Sequence, residues 1–169
     1  MKIQTVETPR LFLRGFCKQD ADFAIGIWND PQMGEYLVDG TQECVDEEYR
    51  KMVETLGEDE QYCYLIAENK ETGERIGTCS FTEQEKVYDI AYCVHKDFWR
   101  NGYATEMVGG MIDYARQQGA LAVTAWITEG NAVSLGLATK FGFYKAAQSS
   151  YQKPGTDKTY VDYQYKLEL

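Results

Sequence analysis

The apolar positions of this chain change period several times, and each change predicts a new element. After Pro9, Leu11-Phe12-Leu13-Arg14 is a short β-rich run that predicts a first strand. Phe23, Ala24, Ile27 and Trp28 recur at helical spacing before Pro31, with Asp20 placed to cap that helix. Val45, Tyr49, Met52, Val53 and Leu56 repeat the helical period, and Thr41 is the expected cap of this second helix. The runs 62–68 and 75–81 favour strands, and Asn69-Lys70-Glu71-Thr72-Gly73-Glu74 between them predicts a hairpin. A third central strand follows at 87–94.

Met107, Val108, Met111, Ile112 and Ala115 then predict a helix over 103–118, stopped by Gly119. A strand at 122–128, a short helix at 131–141 and two strands near 143–147 and 160–167 complete the chain, the last pair flanking Pro154-Gly155. The order β-α-α-β-β-β-α-β-α-β-β predicts one α/β domain over 1–169 (α+β by some schemes), with a mixed sheet and helices on both faces. Hairpins come first; the β-α-β crossover over 87–128 should be right-handed and locally parallel.

Composition narrows the function. With 17 basic and 27 acidic residues the net charge is −10, which repels nucleic acid and favours cationic partners or plain solubility. No apolar run reaches the roughly 20 residues that cross a bilayer, and the first residues show no apolar signal core. The cysteines (Cys17, Cys44, Cys63, Cys79, Cys93) include no Cys-x-x-Cys pair, so neither a disulfide framework nor a metal site is expected, and a cytoplasmic setting fits. The single histidine, His95, excludes chemistry that needs two.

Candidate chemistry gathers in two segments. In Val94-His95-Lys96-Asp97-Phe98-Trp99-Arg100-Asn101-Gly102-Tyr103-Ala104-Thr105-Glu106 a strand enters a loop that opens a helix. Helix starts leave N–H groups unpaired at the positive end of the dipole, where a diphosphate can accept from them. Gly102 lets a ligand approach closely, and Arg100 and Lys96 add positive charge. An ordinary βα turn would read the same way. One strand later, Asn131-Ala132-Val133-Ser134-Leu135-Gly136-Leu137-Ala138-Thr139-Lys140-Phe141-Gly142-Phe143 puts a polar residue at a helix start and an aliphatic face behind it.

Together these segments resemble the GNAT superfamily of N-acetyltransferases, and more closely its RimJ/RimL-type branch, which acetylates protein N-terminal amines. Glu7-Thr8-Pro9-Arg10-Leu11-Phe12-Leu13-Arg14, Asp89-Ile90-Ala91-Tyr92 and Gly102-Tyr103-Ala104-Thr105-Glu106 each resemble a stretch of that branch, in its order. The resemblance implies a mostly antiparallel sheet with a β-α-β core that binds acetyl-CoA as co-substrate, without a metal. It implies that Tyr92, Cys93 and Val94 pair with the pantetheine amides. The stretch Arg100, Asn101, Gly102, Tyr103, Ala104 and Thr105 would hold the diphosphate. Asn131 would bind the pantetheine arm, and Lys140 would add to the cofactor site.

Two positions depart from the family pattern. Trp99 stands where Gln or Arg is usual, and Ala138 where many members carry a tyrosine general acid. Ser134, one helical turn before Ala138, is the substitute acid, or else a first-turn serine that satisfies backbone. Asp89 is the expected general base, or a structural strand-face aspartate; Tyr92 and His95 are weaker candidates. The acceptor is an amine: a protein N-terminus, a polyamine or another small amine. It could be cationic, because residues 43–60 carry eight acidic side chains (Glu43, Asp46, Glu47, Glu48, Glu54, Glu58, Asp59, Glu60) against Arg50 and Lys51. A monomer or homodimer fits. A non-catalytic acyl-CoA-binding module of the same fold is the alternative.

Overall fold

The structure, a computed structural model, describes residues 3, 5–38 and 45–169. In chain order its elements are β1 (Val6–Glu7), β2 (Leu11–Gly15), α1 (Ala21–Trp28), α2 (Glu47–Glu54), β3 (Cys63–Asn69), β4 (Arg75–Gln84) and β5 (Val87–Val94). They continue with α3 (Tyr103–Gln117), β6 (Ala122–Thr128), α4 (Ala132–Phe141), β7 (Tyr144–Gln152) and β8 (Thr159–Glu168). The strands form one sheet in the order β1-β2-β3-β4-β5-β6-β8-β7, mixed and mostly antiparallel. Only β5 and β6 run parallel, joined by the α3 crossover.

Strand alternation divides the side chains between two faces. On one face Leu13, Leu65, Ile76, Phe81, Ile90 and Val123 bury α3 through Met107 and Met111. Each such fully buried side chain contributes about 1.5–3 kcal/mol. On the other, Ile66 packs with Phe16, Ala24, Ile25 and Val53 under α1 and α2. That second layer sits on the β2–β4 side of the sheet. Beyond it, Trp126 of β6 is 42% exposed on the same face as Thr124.

Several expectations change. The two-residue β1 has no counterpart among the expected strands; Val6 pairs with Leu13 as a short edge. Thr41 lies outside the described residues, and α2 starts at Glu47, where Asp46 accepts from the Tyr49 N–H at 2.8 Å. Asp20 stands at the N-cap of α1, as expected, but its side chain makes no capping bond there. It is 1% exposed, and its carboxylate accepts from Arg14 at 2.8 Å and from the Cys17 N–H at 3.0 Å, with Arg75 at 3.4 Å. A guanidinium competes better than a backbone N–H for a buried carboxylate. The strand expected at 75–81 runs on to Gln84, and the one expected at 143–147 runs over Tyr144–Gln152.

Candidate active site

The sheet opens in its middle. β5 and β6 pair only as Val87 with Ala122, Tyr88 with Val123 and Asp89 with Thr124. Beyond Asp89 they diverge, while β5 stays paired with β4 as far as Val94 with Gly77. The β6-facing backbone edge of Ile90 to Val94 therefore has no strand beside it. Backbone N–H and C=O groups left this way call for another partner. Tyr92, Cys93 and Val94 lie on that edge.

At the C-terminal end of β5 the chain turns into α3. The Trp99 indole N–H donates to the Val94 carbonyl at 2.7 Å, so the residue that departs from the family pattern ties the loop to the strand. Arg100 and Gly102 both take left-handed backbone, with φ of 62° and 78°. At Gly102 this conformation costs little, whereas a residue with a Cβ would be strained. The first α3 bond runs from the Glu106 N–H to the Gly102 carbonyl at 3.1 Å. The N–H groups of Tyr103, Ala104 and Thr105 precede it at the positive end of the helix.

The loop is braced from the other end of the chain. Glu106 accepts from the Thr8 hydroxyl, the Arg10 N–H and the Arg10 Nε, each at 2.6 Å. Burial pushes the Glu106 carboxyl up, but these bonds outweigh it and hold the group below the usual range. Arg10 also donates to the Asn101 carbonyl at 3.0 Å and lies 4.3 Å over the Tyr103 ring. Nothing in the sequence marks Arg10 for this role. Lys96 does not supply free positive charge as expected, because its ammonium bonds Asp30 at 2.7 Å. Arg100 is exposed beside the N–H groups.

Across the opening, Asn131 starts α4. Its side-chain oxygen accepts from the Ser134 N–H at 3.2 Å, which leaves its NH₂ group for another partner. Ser134 lies in the first turn, beside the Tyr92 phenol of β5. Burial pushes the Tyr92 phenol up, and the neighbouring Ser134 hydroxyl partly offsets this. Ala138, one turn on, is buried in the core. Lys140 is exposed in the last turn of α4, about 13 Å along the helix from Asn131.

Asp89 is the last β5 residue before the opening. It accepts from the Thr124 hydroxyl at 2.6 Å, and burial pushes its carboxyl up against that bond. By alternation it faces the α1–α2 side, opposite Tyr92. His95 accepts from the Asp97 N–H at 3.3 Å and stacks on Phe23 at 6.0 Å, a loop-anchoring role.

A split between parallel strands, beside a helix start with free N–H groups, is a place to thread a long ligand with amides and a diphosphate. A family model described as an acetyltransferase (GNAT) domain matches residues 10–144. The chain belongs to this family. The uncharacterized protein YkkB of Bacillus subtilis (strain 168) is 32% identical over 158 residues, 87% of this chain and 90% of that protein. A GNAT-family acetyltransferase from Bacillus anthracis superposes with a TM-score of 0.82 at 17% identity, covering 98% of both chains. The protein yncA of Salmonella typhimurium, solved with its cofactor acetyl-CoA, superposes with a TM-score of 0.70 at 20% identity over 94% of each chain.

This GNAT chain is thus an acetyl-CoA-dependent N-acetyltransferase, with acetyl-CoA as co-substrate. Among the described residues no helix is long and apolar enough to cross a membrane. Tyr92, a weak candidate in the sequence, is brought to Ser134 by the fold. The sequence carries a signal for it: Tyr88, Ile90, Tyr92 and Val94 share the face that meets α3 and α4.

Proposed function

We propose that the chain acetylates a primary amine by direct attack in a ternary complex with acetyl-CoA. Tyr92, Cys93 and Val94 pair their backbone with the pantetheine arm, with the Asn131 amide beside it. Arg100, Asn101, Gly102, Tyr103, Ala104 and Thr105 take the diphosphate, and Lys140 lies farther out toward the nucleotide end. The amine approaches from the α1–α2 side, where Asp89 accepts its proton directly or through one water. The N–C bond forms, the C–S bond breaks, and the departing thiolate takes a proton from the Ser134–Tyr92 pair on the other face. The cell compartment that suits this chemistry is the cytoplasm.

One observation supports this reading most: a desolvated carboxylate, Asp89, lies on one face of the split and the neighbouring hydroxyls of Tyr92 and Ser134 on the other. A base whose pKa is raised toward the working pH captures a proton better than an ordinary aspartate. Thiol release from acetyl-CoA across a panel of amines tests the reading. Tyr92→Phe and Ser134→Ala should each lower kcat about tenfold or more while acetyl-CoA affinity holds. Binding of acetyl-CoA with no thiol release to any amine would instead mark a non-catalytic module, the reading that Ala138 favours.

A further inference from the structure

Among the described residues the buried Asp20 and the part-buried Glu106 are paired with arginine, whereas the part-buried Asp89 and the buried Asp162 have no cation. Asp20 has Arg14 and Arg75, and Glu106 has Arg10. Asp89 and Asp162 each have one threonine hydroxyl: Thr124 donates to Asp89 at 2.6 Å, and Thr128 to Asp162 at 2.9 Å. Asp162 is 7% exposed, and burial pushes its carboxyl up against the Thr128 bond. No Lys or Arg among the described residues lies within ion-pair distance of either group. Lys166, cross-strand from Thr124, pairs with Glu168 at 2.8 Å.

The two carboxylates flank one strand. Thr124, Trp126 and Thr128 alternate onto the same face of β6, with about 13 Å from the first to the last; Asp89 lies beside one end on β5 and Asp162 beside the other on β8. Trp126 stands between them, exposed at the centre of a sheet where an indole is ordinarily covered. More aromatics gather at the Asp162 end. The Tyr151 hydroxyl lies 3.1 Å from Thr128, the Tyr151 and Tyr160 rings stack at 5.5 Å, and Tyr36 donates to the Gly130 carbonyl at 3.3 Å. Aromatic faces and an uncompensated carboxylate suit a cation.

We propose that this face is the acceptor groove, and that it takes an elongated amine with a second cationic group, held by Asp162 beside Trp126 while the reacting amine meets Asp89. The proposal rests on the acetyltransferase reading above and specifies its acceptor. A single ammonium could satisfy one end of β6; two, joined by an apolar spacer lying on Trp126, satisfy both.

Thiol release from acetyl-CoA should be compared for diaminooctane and octylamine, which share their spacer and differ in the second ammonium. The diamine should show a kcat/KM about tenfold higher, carried by KM, because a charge-assisted bond at a desolvated carboxylate is at stake. Asp162→Asn should cut the diamine-to-monoamine ratio about tenfold, and Asp162→Glu should restore part of it. A fold defect would lower both amines alike and leave their ratio in place. Equal kcat/KM for the two amines, or an unchanged ratio in Asp162→Asn, overturns the groove while the acetyltransferase stands. No acetyl-CoA binding by calorimetry would overturn both.

Discussion

The two edges of β5 have opposite fates. Toward β4 it is paired through all eight residues, from Val87 with Gln84 to Val94 with Gly77. Toward β6 it is paired through three and then stands apart. The closed edge comes from a local hairpin, where the turn at Glu85 and Lys86 fixes the register of β5 on β4. The open edge is made by a crossover through α3, and no tight turn fixes the register of β6 on β5 there. A strand secured on one side can leave its other side unpaired without losing its place. That division lets one strand belong to the core and to the site at once.

Asp89, at the last pair before the opening, tests the open edge with the largest effect. Asp89→Asn should lower kcat about 100-fold, most at low pH where free amine is scarce, with acetyl-CoA affinity kept. The same substitution should raise Tm at neutral pH. Burial lifts the folded-state pKa of Asp89 above the ordinary carboxylate value, so ionising it costs stability as pH rises through that window. Below the window the group is protonated in both states, and the gain in Tm should vanish. A Tm gain that persists in acid would contradict this assignment.

Gly77 tests the closed edge. A Cβ there would collide with the Cys93 carbonyl oxygen, a backbone atom with nowhere to go. Gly77→Ala should cost about 1–3 kcal/mol in denaturant unfolding and should weaken acetyl-CoA binding by shifting β5. Normal binding and stability would mean that the two edges are not coupled. Gly102→Val should act more locally. Its left-handed backbone costs a β-branched residue about 1–2 kcal/mol, so the loop would be strained as well as obstructed. Calorimetry should show weaker acetyl-CoA binding than in wild type.

The smallest effect is expected on α2. Its acidic face is partly answered by its own surroundings, through Lys18 with Glu54 and Lys51 with Glu47, while its Arg50 is taken by Asp22 of α1. Glu47→Gln with Glu48→Gln should therefore change kcat/KM for a cationic amine by about twofold or less, and only at low salt. A tenfold loss would move acceptor recognition from the β6–β8 face to this helix.

The same contrasts explain how far the site is readable in the sequence. Asp89, Ser134 and the loop from Arg100 to Thr105 stand out because each lies in a compact motif with a local physical meaning. Asp162 does not, because Tyr160, Asp162, Gln164, Lys166 and Glu168 alternate with Val161, Tyr163, Tyr165 and Leu167 like any strand with a solvent face. Nothing in that pattern separates a buried carboxylate from its exposed neighbours. Arg10 is equally silent, its partner Glu106 lying far along the chain.

The sequence by itself determined the elements other than β1, their order, and the loop and glycine at which α3 begins. These depend on periods of 2 and 3.6 and on residues that begin or end helices, all of them local. The tertiary structure alone decided that β8 slips between β6 and β7, that β5 and β6 part after Asp89, that Tyr92 meets Ser134, and that Asp162 is left with only a threonine. A side-chain period says which way a residue points but not which strand will lie beside it. That choice is made by how the helices pack across the whole sheet.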